Sequence, residues 1–318
     1  MKKPIRLVFF LSFCFFHLTA QQSAQQELAR ALDLIQQGRS NTAVLVLASV
    51  LKSTQFSSAD RGRAWALLGY AYKEEGKFTA SEKSFSRAFE LLRMDGIPTR
   101  DYAAALSYYA GLLIAKGDLS PAAEALRQAI ELYRQTGSHA ELSAAYTRMA
   151  GLDISLKKYK EARAGLALAR AEANSLGDSV PSTDLDATTG WLDTSTGKVR
   201  EAVADYEKAL DDCRVQYGEE HMLTGWSYLL LSKAQESDHN LTAASQNMNT
   251  GLQILKATVG TNNIRYLAGQ LAYSGLLEKL GSHEQAAALR SAAYAALANI
   301  PGRECSDCSV SVWSLLHR

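Results

Sequence analysis

The sequence predicts an all-α array of seven stacked helical hairpins. Three observations carry that prediction: a small residue that returns at near-constant spacing, helical periodicity on either side of it, and a turn residue between the two helices of each unit. Ala43, Ser81, Ala122, Ala162, Ala202, Ala244 and Ala286 hold the small position, separated by 38, 41, 40, 40, 42 and 42 residues. A steady period in that range, with helical signals, denotes an open stack in which each unit buries its apolar face against the next. The 318 residues are 47% hydrophobic and 21% charged with five prolines, a balance that suits Ala-rich packed helices and excludes a disordered tract.

The second unit shows the pattern most fully, with Trp65, Leu68, Gly69, Tyr72, Gly76, Ser81, Phe85 and Ala88. Residues 65, 68 and 72 share one face of a first helix, and 81, 85 and 88 share one face of a second. Where the helices cross, Gly69 and Ser81 are small enough for the backbones to approach, while Trp65, Tyr72 and Phe85 fill the space around them. A large position follows the small one in each unit: Leu47, Phe85, Leu126, Leu166, Tyr206, Met248 and Arg290. A second small position lies one turn later, at Val50, Ala88, Ala129, Ala169, Ala209, Gly251 and Ala293. Arg290 breaks the apolar column in the last unit, as befits a terminal repeat whose outer face nothing covers. Between the helices stand Gly38, Gly76, Gly117, Lys157, Gly197, His239 and Gly281. The glycines suit the left-handed backbone that commonly ends a helix.

These columns resemble the tetratricopeptide repeat, whose signature runs Trp-x2-Leu-Gly-x2-Tyr, then Ala-x3-Phe and a further small residue. The resemblance spans about residues 24 to 299 and implies a right-handed superhelical solenoid, its first helices lining a concave groove and its second helices forming the convex back. Asp153, Asp193 and Gln235 depart from the family by standing where it has Tyr, and Thr189 stands where it has Leu. The period also exceeds the family minimum of about 34 residues. The extra segments 217–221 and 259–263 before first helices resemble the longer repeats of kinesin light chains.

The N-terminus reads as a signal peptide over residues 1–20, with basic Lys2, Lys3 and Arg6, an apolar run from Leu7 to Phe16, and Leu18, Thr19 and Ala20 before the expected cleavage. That run is shorter than the roughly 20 residues a bilayer-spanning helix needs; an uncleaved anchor is the alternative. Phe13 precedes Cys14 where a lipoprotein signal wants a small residue, so lipidation is not expected. The mature solenoid, residues 21–300, is then exported, periplasmic or secreted, with a tail at 301–318. The formal charge is +1, and loss of Lys2, Lys3 and Arg6 leaves 31 basic against 33 acidic residues. Neither balance is a footprint for nucleic acid or an anionic membrane surface.

On the family register the groove-facing positions include Arg63, Tyr70, Lys73, Tyr108, Gly111, Arg148, Gly151, Trp191, Thr194, Trp226 and Lys233. The aromatic and basic members, Arg63, Tyr70, Lys73, Tyr108, Arg148, Trp191, Trp226 and Lys233, are the candidate anchors for a protein or peptide partner. Gly111 and Gly151 either admit an extended ligand to the backbone or ease helix packing. The clamp with which chaperone-binding tetratricopeptide domains hold a C-terminal carboxylate is not expected, since the corresponding positions are mostly Ala, Ser, Gly and Tyr.

No catalytic constellation, metal spacing or phosphate loop emerges, and no cofactor or enzymatic activity is expected. Cys305 and Cys308 form the one chemically suggestive pair. Without a thioredoxin-like surround or two further metal ligands, a disulfide in an oxidising compartment is the first reading. The leading functional expectation is thus an exported scaffold or adaptor. Thiol exchange or metal handling by the cysteine pair, and end-to-end self-assembly, are the alternatives.

Overall fold

In the computed structural model, which describes residues 24–93, 100–177 and 182–299, the chain forms seven antiparallel helical hairpins. The first pairs α1 (helical over 24–36) with α2 (Ser40–Lys52), the second α3 (Ser58–Glu74) with α4 (Phe78–Leu92), and the third α5 (Arg100–Lys116) with α6 (Leu119–Thr136). There follow α7 (His139–Ser155) with α8 (Tyr159–Asn174), α9 (Thr183–Ser195) with α10 (Val199–Tyr217), α11 (Met222–Ser237) with α12 (Leu241–Val259), and α13 (Ile264–Lys279) with α14 (His283–Ala298). The described residues contain no strand.

The sequence columns become the packing. Leu47, Phe85, Leu126 and Met248 are fully buried, as are Ala43, Ser81, Ala122, Ala162, Ala202, Ala244 and Ala286. At the crossing of α3 and α4 a Cβ on Gly69 would stand 2.9 Å from the Phe85 ring, and at the crossing of α9 and α10 one on Gly190 would stand 3.0 Å from the Tyr206 ring. The large residue of the second helix fills the space the small residue leaves, so neither position can be enlarged alone. The Ser81 hydroxyl donates to the Gly69 carbonyl at 2.7 Å, and in the sixth hairpin Ser232 donates the other way across the same crossing, to the Ala244 carbonyl at 2.6 Å. All seven turn residues have positive φ, including Lys157 at 59° and His239 at 61°. The terminal Arg290 turns to the Glu278 carboxylate at 3.1 Å.

Polar contacts stand in where the family tyrosine is missing. Gln235 accepts from the Asn247 amide at 2.8 Å, and Asp193 lies 3.7 Å from Arg163 and 3.9 Å from Lys198. The extra residues before α11 and α13 end in caps. His221 Nδ1 accepts from the Leu223 amide at 3.2 Å and Asn263 from the Arg265 amide at 2.9 Å, while Tyr217 stacks on His221 with ring centroids 4.7 Å apart. With the 19-residue α10 and α12 before them, these segments account for the 42-residue spacing in the C-terminal half.

Curvature follows from which helices touch. From α3 onward each first helix packs on the first helix of the next hairpin, α3 on α5, α5 on α7, α7 on α9, α9 on α11 and α11 on α13, whereas successive second helices make no comparable contact. The side on which neighbours touch is the inside of the bend, so the odd-numbered helices line the concave face. The winding is tight enough for distant hairpins to meet. Gly38, in the first turn, faces Met222 and Val259 of the sixth hairpin, and Glu74 at the end of α3 lies 3.3 Å from Arg265 near the start of α13. Hairpins one and two therefore rest against hairpins six and seven.

Candidate functional site on the concave face

One helical repeat separates Tyr70 on α3, Tyr108 on α5 and Arg148 on α7, and stacking of the first helices brings them into a row. The Tyr70 and Tyr108 rings lie parallel, 6° apart in plane, with centroids 5.0 Å apart. Lys73 Nζ is 5.0 Å from the Tyr70 centroid, and the Arg148 guanidinium is 5.9 Å from that of Tyr108. Arg148 also donates to the Ser107 hydroxyl. Cation–ring contacts of this kind contribute about 0.5–1 kcal/mol each at open sites and more when desolvated. The row is thus a preorganised strip of flat rings edged by cations, half-buried along its length.

Beside it sits the contact that closes the winding. Glu74 pairs with its neighbour Lys73 and with Arg265, and the Arg265 guanidinium stands 5.8 Å from the Trp226 ring. Burial opposes ionisation of Glu74, but Lys73 and Arg265 outweigh it and hold the carboxyl down to about 2. Burial raises the phenol of Tyr70, with Glu74 adding to the effect, and burial likewise raises that of Tyr108 against the pull of Arg148. Both hydroxyls therefore stay protonated as hydrogen-bond donors. Further along, Arg100 pairs with Glu141, and Arg63 with Asp60 and, at 3.6 Å, with Asp101.

The structure distributes the sequence candidates unevenly. It gathers Tyr70, Lys73, Tyr108 and Arg148 into one row, with Trp226 at its edge beneath Arg265 and largely buried. Arg63 lies off the row in its acidic pairing. Trp191 packs beside Gly151, whose Cβ would meet the indole at 3.4 Å, so that glycine accommodates a neighbouring helix; Gly111 faces open space. Lys233 binds the Glu236 carboxylate at 2.7 Å, and Glu236 also takes Lys279 at 2.6 Å, tying α11 to α13. Sequence reasoning missed Glu74 and Arg265. They lie 191 residues apart, and no local pattern announces their meeting.

Among the described residues no group of His, Cys, Asp or Glu is disposed to hold a metal ion, and no helix is long and apolar enough to cross a membrane. Cys213 is a buried free thiol 3.2 Å from the Ser227 hydroxyl. Cys305, Cys308 and the expected signal peptide lie outside the described residues.

Residues 60–135 match the family model described as tetratricopeptide repeat. No curated protein matches the sequence. Among solved structures, the apo form of RapI superposes with a TM-score of 0.60 at 12% identity, over 86% of this chain and 97% of that one. A Rap protein complexed with Competence and Sporulation Factor gives 0.59 at 14% identity, over 96% and 90%. BtubC (BKLC) from P. vanneervenii gives 0.52 at 16% identity, over 73% and 92%. At these identities the likeness is one of fold. Residues 60–135 thus carry the tetratricopeptide repeat, and the chain has the fold of a tetratricopeptide solenoid.

Proposed function

We propose that this tetratricopeptide solenoid is an exported, non-catalytic scaffold that holds a protein or peptide segment against its concave face. One observation carries the reading: the row of Tyr70, Tyr108 and Arg148 presents stacked rings and a guanidinium on the inside of the curve, half-buried and held in place by the helices that bear them. Rigid aromatic and Arg side chains are the commonest anchors of protein interfaces, because they offer large contact area at little cost in side-chain entropy. The likeness in fold to a Rap protein complexed with Competence and Sporulation Factor is consistent with a bound ligand and identifies none. Export rests on the sequence of residues 1–20 alone.

The test is capture of a partner from an extracytoplasmic fraction by residues 21–318, beside a Tyr108→Ala, Arg148→Ala double variant shown by circular dichroism to be folded. Trp191 and Trp226 are poor choices for this purpose, because their removal would also open packing between helices. A partner retained only by the parent chain supports the concave face; equal retention by both places binding elsewhere. N-terminal sequencing of the matured chain checks export, with Gln21 as the expected first residue.

A further inference from the structure

We infer that the segment held in the groove is acidic, and that Arg148, with the hydroxyls of Tyr70 and Tyr108, receives a carboxylate side chain from it. The inference rests on the concave-face reading and adds the chemistry of the ligand. Its basis is an imbalance of charge and hydrogen bonding at the centre of the row.

Every other cation around Arg148 has an acidic partner, though some share one. Arg63 has Asp60 and Asp101, Lys73 has Glu74, Arg100 has Glu141, Lys233 and Lys279 have Glu236, and Arg265 has Glu74. Arg148 has only the Ser107 hydroxyl and the Tyr108 ring face among the described residues. A guanidinium carries five donors in a planar fork suited to a carboxylate, so most of its hydrogen-bonding capacity here is unused. It is also half-buried, where an unmatched charge interacts with an incoming anion more strongly than one in open water.

The surroundings point the same way. Neither the Tyr70 nor the Tyr108 hydroxyl finds a hydrogen-bond partner among the described residues, so two protonated donors accompany the guanidinium. Lys73 and Arg265 share the one carboxylate of Glu74, and Glu141, which also acts on Tyr108, is paired with Arg100, so with Arg148 the cations at this point of the groove outnumber the acids and the local field favours an anion. In front of the next turn of α5, Gly111 leaves open space, giving the backbone of a bound segment somewhere to run. A carboxylate on an extended peptide satisfies all of these together: charge for Arg148, acceptors for two phenols, and an apolar stem over the stacked rings.

The test uses four fluorescent 12-residue peptide libraries, randomised except for a central Glu, Gln, Lys or phosphoserine, titrated by anisotropy against residues 21–318. The Glu library is expected to bind about tenfold or more tighter than the Gln library, the difference one charge-assisted contact supplies. Added salt should narrow the gap. Arg148→Gln should erase the preference, and Tyr70→Phe with Tyr108→Phe should reduce it while leaving the rings in place. Equal binding of the Glu and Gln libraries, or a preference that survives Arg148→Gln, overturns the inference. If that equal binding is nevertheless lost in Tyr108→Ala, the concave-face reading stands and only the charge assignment falls. Preference for phosphoserine replaces the carboxylate with a phosphate, and binding of none of the libraries by the folded chain counts against both readings.

Discussion

Gly38→Ala should destabilise the protein well beyond the same change at Gly197, although both glycines occupy the turn of a hairpin with nearly the same backbone, φ +74° and +79°. The shared part of the penalty is the left-handed conformation, which costs an L-residue about 1–2 kcal/mol and is partly offset by about 0.4–1 kcal/mol from the stiffer unfolded chain. The difference lies in what the new methyl meets. At 197 nothing stands within 4 Å, whereas at 38 the Cβ would lie 2.5 Å from Val259 Cγ1 and 2.7 Å from Met222 Sδ. Met222 can swing aside, but Val259 is β-branched and has few alternatives, so forced repacking should add about 1–3 kcal/mol. Urea unfolding gives the midpoints and slopes. Hydrogen exchange then locates the loosened hairpins, since a repeat array need not unfold in one step. The expected pattern is a small loss for Gly197→Ala and a larger one for Gly38→Ala, with faster exchange in both hairpin one and hairpin six. Equal losses, or exchange confined to hairpin one, would refute the packing of the first hairpin against the sixth.

Acid should weaken the same closure. The Glu74 carboxyl is held down to about 2 in the folded protein against an ordinary 4.5, so its contribution to stability is present above about pH 4.5 and is lost as the pH falls toward 2; protection of the α3 and α13 termini in hydrogen exchange at pH 6 and pH 3 measures it. Asp205 behaves oppositely. Burial, with Asp193 and Asp186 nearby, raises its carboxyl from 3.8 to about 6, so stability is lost as the pH rises through that window. Asp205→Asn should therefore gain about 1 kcal/mol at pH 7.5, a linkage value reduced for the solvent that reaches the group, and almost nothing at pH 4, by urea midpoint. Lys157→Gly should stabilise by roughly 0.5–1 kcal/mol, because the residue already sits at φ 59° without the freedom of glycine; an unchanged thermal midpoint would contradict that account.

The fold was legible because packing at a helix crossing leaves a local trace. Gly69 and Phe85, or Gly190 and Tyr206, must be small and large together, and their recurrence carried the register into units where Asp193 or Gln235 had replaced the family tyrosine. The same register located Lys157 and His239 in the turn column, where residue type alone would not have suggested a left-handed backbone. The row of Tyr70, Tyr108 and Arg148 was legible for a related reason: residues one repeat apart on the first helices become neighbours when those helices stack. The Glu74–Arg265 pair was not legible, because it depends on how far each hairpin rotates against the last, summed over five hairpins. No single residue encodes that sum. Trp226 illustrates the consequence: its position on the concave face follows from the repeat, whereas its cover by Arg265 follows from the winding.

The proposed working surface is the inside of the curve. A photo-crosslinking amino acid placed at Gly111, whose side-chain position opens onto empty space beside Tyr108, tests this most directly, with the same group at Leu45, 72% exposed on α2, as the control. Irradiated with an extracytoplasmic extract, the probe at 111 should trap a protein or peptide that the probe at 45 does not. A partner trapped from position 45 and absent from 111 would place recognition on the convex back and contradict the account.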